Sequence, residues 1–261
     1  MNRGFSLVEL SIVLVILGLL TGGILAGQSL IRASELRAVS TEYQRYAAAV
    51  NTFRDKYFAI PGDMSSATSF WGKNATDCNA HSGSAATPGT CNGNGDGAIT
   101  DAAGAGLTGE RFQFWKQLSL AGLIEGTYTG LAGSGGANHT IIGTNGPSSK
   151  LGSGGWTVVT SVSPFVGNTT FYAGEYLNHL RFGAASATGA SHTALLKPEE
   201  AWNIDTKMDD GKPATGRIIA MYWNNLCSAA DDGTHSELDL VASYRLTDST
   251  PQCALNFTKA F

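Results

Sequence analysis

Residues 10–31 carry no charged side chain, whereas residues 32–57 carry one every few positions, so the amino-terminal stretch divides into halves of opposite character. The first half is long enough to cross a bilayer as one helix. In the second half Leu36, Val39, Tyr43, Tyr46, Val50, Phe53 and Tyr57 recur at intervals of three and four, the mark of a helix with one buried stripe. Arg32, Glu35, Arg37, Glu42, Arg45, Arg54, Asp55 and Lys56 stand between them and put the other face in water. Ile60-Pro61-Gly62-Asp63 ends the pattern, because proline cannot continue a helix and glycine supports a sharp turn. The pattern predicts one helix over residues 5–60, apolar over 5–31 and amphipathic over 32–58. Unbroken from residue 5 to 57 it would be about 80 Å long. The stripe is short and rich in aromatic rings, which favours packing on a sheet over a coiled coil.

Past residue 61 the periodicity changes. Residues 156–160, 217–223 and 238–244 are apolar or β-branched runs and read as strands, and residues 112–123 read as a short helix ending before Gly126. Residues 128–155, rich in Gly, Ser and Asn, read as a surface excursion, and Gly133-Ser134-Gly135-Gly136 and Gly152-Ser153-Gly154-Gly155 as flexible loops. No internal repeat is evident. Residues 62–261 are enough for one sizeable core or two small lobes.

A single carboxylate, Glu9, stands at the edge of the membrane-length segment, in Met1-Asn2-Arg3-Gly4-Phe5-Ser6-Leu7-Val8-Glu9. Ionisable groups at such depth are costly and mark function. A secretory signal would have a longer charged head, a shorter apolar core and a small-residue cleavage site after it, and these residues lack that order.

The leader resembles that of type IV pilins and the pseudopilins of type II secretion. The resemblance is carried by Arg3, the Gly4-Phe5 junction, Glu9 and the span behind them. It implies cleavage by prepilin peptidase between Gly4 and Phe5, giving a leader of residues 1–4, followed by N-methylation of the new terminal Phe5. It also implies single-pass residence in a bacterial inner membrane, then assembly with identical or homologous pilin subunits by pilus or secretion machinery. The head would end in the periplasm or outside the cell. Glu9 would be an assembly contact, its carboxylate meeting the Phe5 amine of a neighbour. The implied architecture is α+β and pilin-like, with the long amino-terminal helix packed on an antiparallel sheet in a head of residues 62–261. Many members carry a proline midway along the span; this chain has Gly18, Gly22, Gly23 and Gly27 instead.

Composition narrows the partners. The head holds 11 Lys or Arg against 17 Asp or Glu, a net of −6, which argues against a general basic groove for nucleic acid. Asp205, Asp209 and Asp210 form one acidic group, and Asp231, Asp232, Glu237 and Asp239 another. Residues 207–213 read as a tight acidic hairpin turn before a strand, ahead of any metal role. The four cysteines, all beyond the span, suit an oxidising compartment. Three pairings are possible; local closure favours Cys78 with Cys91 and Cys227 with Cys253, the latter resembling the disulfide-bounded loop of many pilins. Zinc would ask for closer CxxC spacing.

The run Cys91-Asn92-Gly93-Asn94-Gly95-Asp96-Gly97-Ala98-Ile99-Thr100-Asp101 resembles the first half of a calcium loop, with oxygens from Asn92, Asn94 and Asp96 at alternate positions. The twelfth place is Ala103, so the bidentate Glu is missing, and Asp101 or Glu110 would substitute. The reading requires no cofactor; calcium is the candidate ion, and a metal-free polar turn is the competing reading. His81, His139, His179, His192 and His235 are scattered, without HExxH, and no GxSxG or phosphate-loop lysine is present. A structural, non-enzymatic role follows. Two functions stay open: a filament subunit, and a membrane-tethered adhesive binding protein in which the anchor merely holds the head.

Overall fold

The computed structural model describes residues 7–73, 88–100, 109–161, 171–187, 189–190, 193–221, 226–229 and 237–261. Helix α1, Leu7–Tyr57, is a single element of 51 residues, about 77 Å long. Short α2, Ala67–Trp71, and α3, Glu110–Leu120, follow. Strands β1, Gly154–Ser161, and β2, Leu177–Ala184, precede α4, Pro198–Met208. Short strands β3, Ile218–Ala220, β4, Ser228–Ala229, β5, Ser243–Tyr244, and β6, Leu255–Phe257, complete the chain. The main sheet has the order β1-β2-β6-β3, antiparallel throughout; β4 and β5 pair separately. The architecture is α+β, a long helix on an antiparallel sheet, as the leader's resemblance implied.

The predicted stripe is the one that packs. Val39, Tyr46, Val50 and Phe53 are buried, with Leu36, Tyr43 and Tyr57 half-buried against the same core. Tyr43 stacks on Phe257 of β6 at 4.6 Å, and Tyr46 stands edge-on to Trp115 of α3 at 5.1 Å and to Trp156 of β1 at 5.7 Å. Quadrupole complementarity favours such edge-to-face pairs beyond their buried area.

Glu42 departs from the expected wet face. It is 6% exposed, and its carboxylate accepts the Trp156 indole N–H at 2.8 Å and the Lys150 backbone N–H at 2.9 Å. A carboxylate there satisfies two donors that the closing core strips of water.

Every residue of α3 from Glu110 to Leu118 is buried, and both of its glutamines find partners. Gln117 Oε1 accepts the Gly62 N–H at 2.6 Å, and Gln113 accepts the Cys91 N–H at 3.2 Å while donating to the Gly130 carbonyl at 2.8 Å. Gly62 is required at this crossing: φ is +87°, and a Cβ would stand 2.4 Å from the Glu110 carbonyl.

Several expectations need correction. Residues 128–153 are no surface excursion: Tyr128, Leu131, Ala132, Thr140, Asn145 and Leu151 are buried. Thr140 bonds Thr157 of β1 at 2.8 Å, so this segment covers sheet, and Asn145 Nδ2 donates to the carbonyls of Leu131 and His139. The Gly133–Gly136 turn is held too, with His139 Nδ1 accepting the Gly135 N–H at 2.9 Å. Of the strand expected over residues 238–244, just Ser243–Tyr244 pairs. Residues 207–213 form a turn from α4 into β3 rather than a hairpin.

Replacing Glu42 with Ala should cost about 2–3 kcal/mol, the usual loss on stranding buried donors of a charged acceptor. Urea unfolding followed by Trp fluorescence measures it; an unchanged midpoint would remove Glu42 from the core.

Candidate functional site

Two halves of α1 face different surroundings. The large apolar side chains from Leu7 to Ile31 are 50–89% exposed, and an 18-residue window reaches a mean hydropathy of 2.4 with none of it buried in the protein. The helix satisfies its own backbone there. Its hydroxyls do likewise: Ser11 Oγ donates to the Val8 carbonyl at 2.8 Å, Thr21 Oγ1 to Leu17 at 2.9 Å and Ser29 Oγ to Ala26 at 2.9 Å. A segment whose described hydroxyls close on its own backbone and whose large side chains face outward suits an apolar medium or other apolar helices. Glu9 lies in its first turn; Gly4 and Phe5 lie outside the described residues.

The boundary between the halves is fastened by charge. Arg32, the first charged residue after the span, grips Glu200 of α4 through Nε at 2.6 Å and Nη2 at 2.7 Å, and reaches Glu35 at 3.3 Å. Glu200 also accepts the Lys197 N–H at 3.0 Å, capping α4. Burial alone would raise the Glu200 carboxyl, but the Arg32 fork and the Lys197 amide outweigh it and hold the group below its usual range.

Residues 1–25 match the prokaryotic N-terminal methylation motif. This is the type IV pilin and pseudopilin signature. The signature supports reading the chain as a pilin-like or pseudopilin-like substrate of prepilin peptidase, and the α+β head behind it is consistent with the pilin-like fold. An apolar helix at this terminus fits a membrane anchor. No curated protein and no solved structure matches the chain.

The loop of residues 91–100 lies where α1 gives way to the head. Of its sequence-predicted ligands, Asn94 and Asp96 come together: Asn94 Nδ2 donates to Asp96 Oδ2 at 2.8 Å, and Asn94 Oδ1 accepts the Asp96 N–H at 2.9 Å. Asn92 is engaged elsewhere, accepting the Thr68 N–H at 2.8 Å, and Asp101 lies outside the described residues. Sequence reasoning missed Asp63, treated there as part of a helix stop. Its buried carboxylate accepts the N–H groups of Gly95 at 2.6 Å, Asp96 at 3.1 Å and Gly97 at 2.9 Å. Glu110 accepts the amides of Asn94 and Thr100, both at 2.9 Å. Close backbone approach makes this possible, since a Cβ on Gly93 would stand 2.3 Å from the Asp63 carbonyl carbon. Burial raises the Asp63 carboxyl, with Asp96 adding repulsion, and burial raises Glu110, with Asp63 adding repulsion. Three acidic groups thus crowd one loop whose amides bind all of them, the Ala98 N–H donating to Asp96 Oδ1 at 2.8 Å.

A second acidic group is Asp205, Asp209 and Asp210, with ligand oxygens within 4.8 Å of one another. These oxygens build the turn into β3. Asp205 accepts Tyr244 Oη–H at 2.8 Å and the Gly211 N–H at 3.2 Å; Asp209 accepts the Ile218 N–H at 3.0 Å; Asp210 accepts the Lys212 N–H at 2.9 Å. Tyr244 belongs to the loop closed by the Cys227–Cys253 disulfide, the pairing expected from sequence. Cys91 is disulfide-bonded as well; Cys78 lies outside the described residues. Of the histidines, His179 is fully buried in β2, where burial and then Arg181 push its pKa down to about 3, leaving it neutral.

Burial pushes the Asp205 carboxyl up to about 7, with Asp210 and Asp209 adding repulsion. The proton it keeps when folded stabilises fully below the ordinary aspartate range, and that contribution is lost as pH rises through about 7. Thermal melts from pH 4 to 8 should show the wild type falling across this window and Asp205→Asn falling less. Parallel profiles would contradict the assignment.

Proposed function

We propose that the chain is a structural subunit of a type IV pilus or secretion pseudopilus, cut after Gly4, methylated on Phe5 and assembled through α1. The observation that carries this reading is the joining of the methylation motif to a half-helix that its own head leaves uncovered. Once processed, Phe5 bears an amine one helical turn before Glu9. A neighbour staggered along the same axis brings its amine level with this carboxylate, which offsets the desolvation of both charges and sets the register between subunits. The glycines of the span support close packing: a Cβ at Gly18, Gly22, Gly23 or Gly27 would meet nothing within 4 Å, so the chain's own fold does not require them, while small residues let neighbouring helices approach.

Glu9→Ala should insert in the membrane and yield no filaments, seen by membrane fractionation and electron microscopy; filaments of normal number would refute the assembly contact. Amino-terminal sequencing should find methylated Phe5, whereas an intact Met1 on a monomeric protein favours the tethered binding protein.

For the loop of residues 91–101 we propose calcium as a ligand of Asn94, Asp96 and Asp101. The crowding of Asp63, Asp96 and Glu110 favours it, because a divalent cation relieves the repulsion these groups exert on one another. Calcium should raise the melting temperature by several degrees over chelator, and superimposed curves would remove the ion.

A further inference from the structure

A cavity of about 520 Å³ runs between α1 and α4. Leu36, Ile204 and Met208 give it an apolar wall, Arg37 and Lys207 supply two cations, and its lining contains no carboxylate. Both cations are exposed, and among the described residues neither forms an ion pair. The adjacent carboxylates Glu35 and Glu200 are occupied by Arg32. Such a wall beside two positive charges suits an amphiphile with a negative head.

Height along α1 selects the source. Leu36 and Arg37 follow the last residue of the span, Ile31, by five and six positions, about 8–9 Å along the axis. The headgroup layer is itself roughly 6 Å deep on each side of the hydrocarbon. Helical side chains lean toward the amino terminus of their helix. From the Arg32–Glu200 bridge α4 follows α1 outward, since Ile204 and Met208 share the groove with Leu36 and Ser40. Arg37 and Lys207 therefore both lean back toward the membrane surface, where long basic side chains settle.

We propose that this groove binds the phosphate headgroup of an anionic phospholipid from the leaflet next to the head; the proposal rests on the reading of residues 7–31 as a membrane anchor. Arg37 offers a planar fork to two phosphate oxygens and Lys207 a point charge to a third. Leu36, Ile204 and Met208 face the glycerol and the first methylenes. The lipid would seat the unassembled subunit at a fixed height before its neighbours displace it.

The test uses the full chain in nanodiscs of phosphatidylcholine, with or without phosphatidylglycerol, released for native mass spectrometry. One phosphatidylglycerol should stay with each wild-type chain. The double variant Arg37→Gln, Lys207→Gln should retain it about thirtyfold less, from two surface cations near the bilayer. Arg37→Lys should keep most of it, and Arg54→Gln, at the far end of α1, should match wild type. Equal retention by the double variant, equal retention of phosphatidylcholine, or binding of inorganic phosphate by detergent-solubilised protein with no lipid preference would each overturn the proposal. Failure of the chain to enter either disc would overturn the anchor reading itself.

Discussion

Tyr46 stands edge-on to Trp115 and to Trp156, so one ring on α1 touches both α3 and the first strand of the sheet. Glu42, one turn earlier on the same face, accepts the indole N–H of that Trp156. The pair makes the helix a wall of the core rather than an appendage. Were α1 to rotate about its axis, the Glu42 carboxylate would leave its donors and Tyr46 its two tryptophans. The rotation of the uncovered half is therefore set by contacts in the head, because both halves belong to one unbroken helix. The assembly face proposed for the uncovered half needs that control over tens of ångströms.

The division of α1 was legible because helical periodicity repeats, and seven apolar positions outvote any single exception. The exception, Glu42, was illegible for the same reason: the pattern reports the average face, and a charge is buried where a specific donor awaits it. β2 is covered on both sides: His179 and Arg181 are buried as well as Leu180 and Phe182, so the alternation along residues 179–182 marks two packed faces and no wet one, and the short run does not stand out as a half-buried strand. β6 is three residues long, below what a pattern can register. α4 left a signal that could have been read: Pro198 at its first turn, Glu200 as capping residue, then Ala201, Ile204 and Met208 at helical spacing. In residues 238–244 the expected burial is reversed. Leu238, Leu240 and Val241 are exposed while Asp239 and Ala242 are buried, because the segment turns back inside a disulfide-closed loop instead of running as a strand.

The candidate site divides in the same way. Asn94 and Asp96 could be found from spacing alone, since loop oxygens two residues apart are local information. Asp63 could not. It reaches the loop across 32 to 34 positions, and nothing local distinguishes it from an acidic turn residue; Glu110, 10 to 16 positions from its loop partners, is near enough in sequence to be named as a substitute ligand. The leader is legible for the opposite reason. In the proposed processing a peptidase reads these residues in sequence order, so that function is written along the chain and not across it.

The head has few charges, and several of its carboxylates serve as fasteners between elements. Glu200 joins α4 to α1, Asp205 joins α4 to the disulfide-closed loop, Asp63 joins the end of α1 to the loop of residues 94–97, and Glu42 joins α1 to β1. Each is placed where backbone or indole N–H groups, or a guanidinium, would otherwise lose water without compensation. Arg32 differs from the rest in where it stands. It is the first charge after the apolar run, and a free arginine at such a boundary would swing along the helix to find the aqueous layer. Gripped on two oxygens by Glu200, it cannot, so the distance from the apolar run to the base of the head becomes a property of the fold.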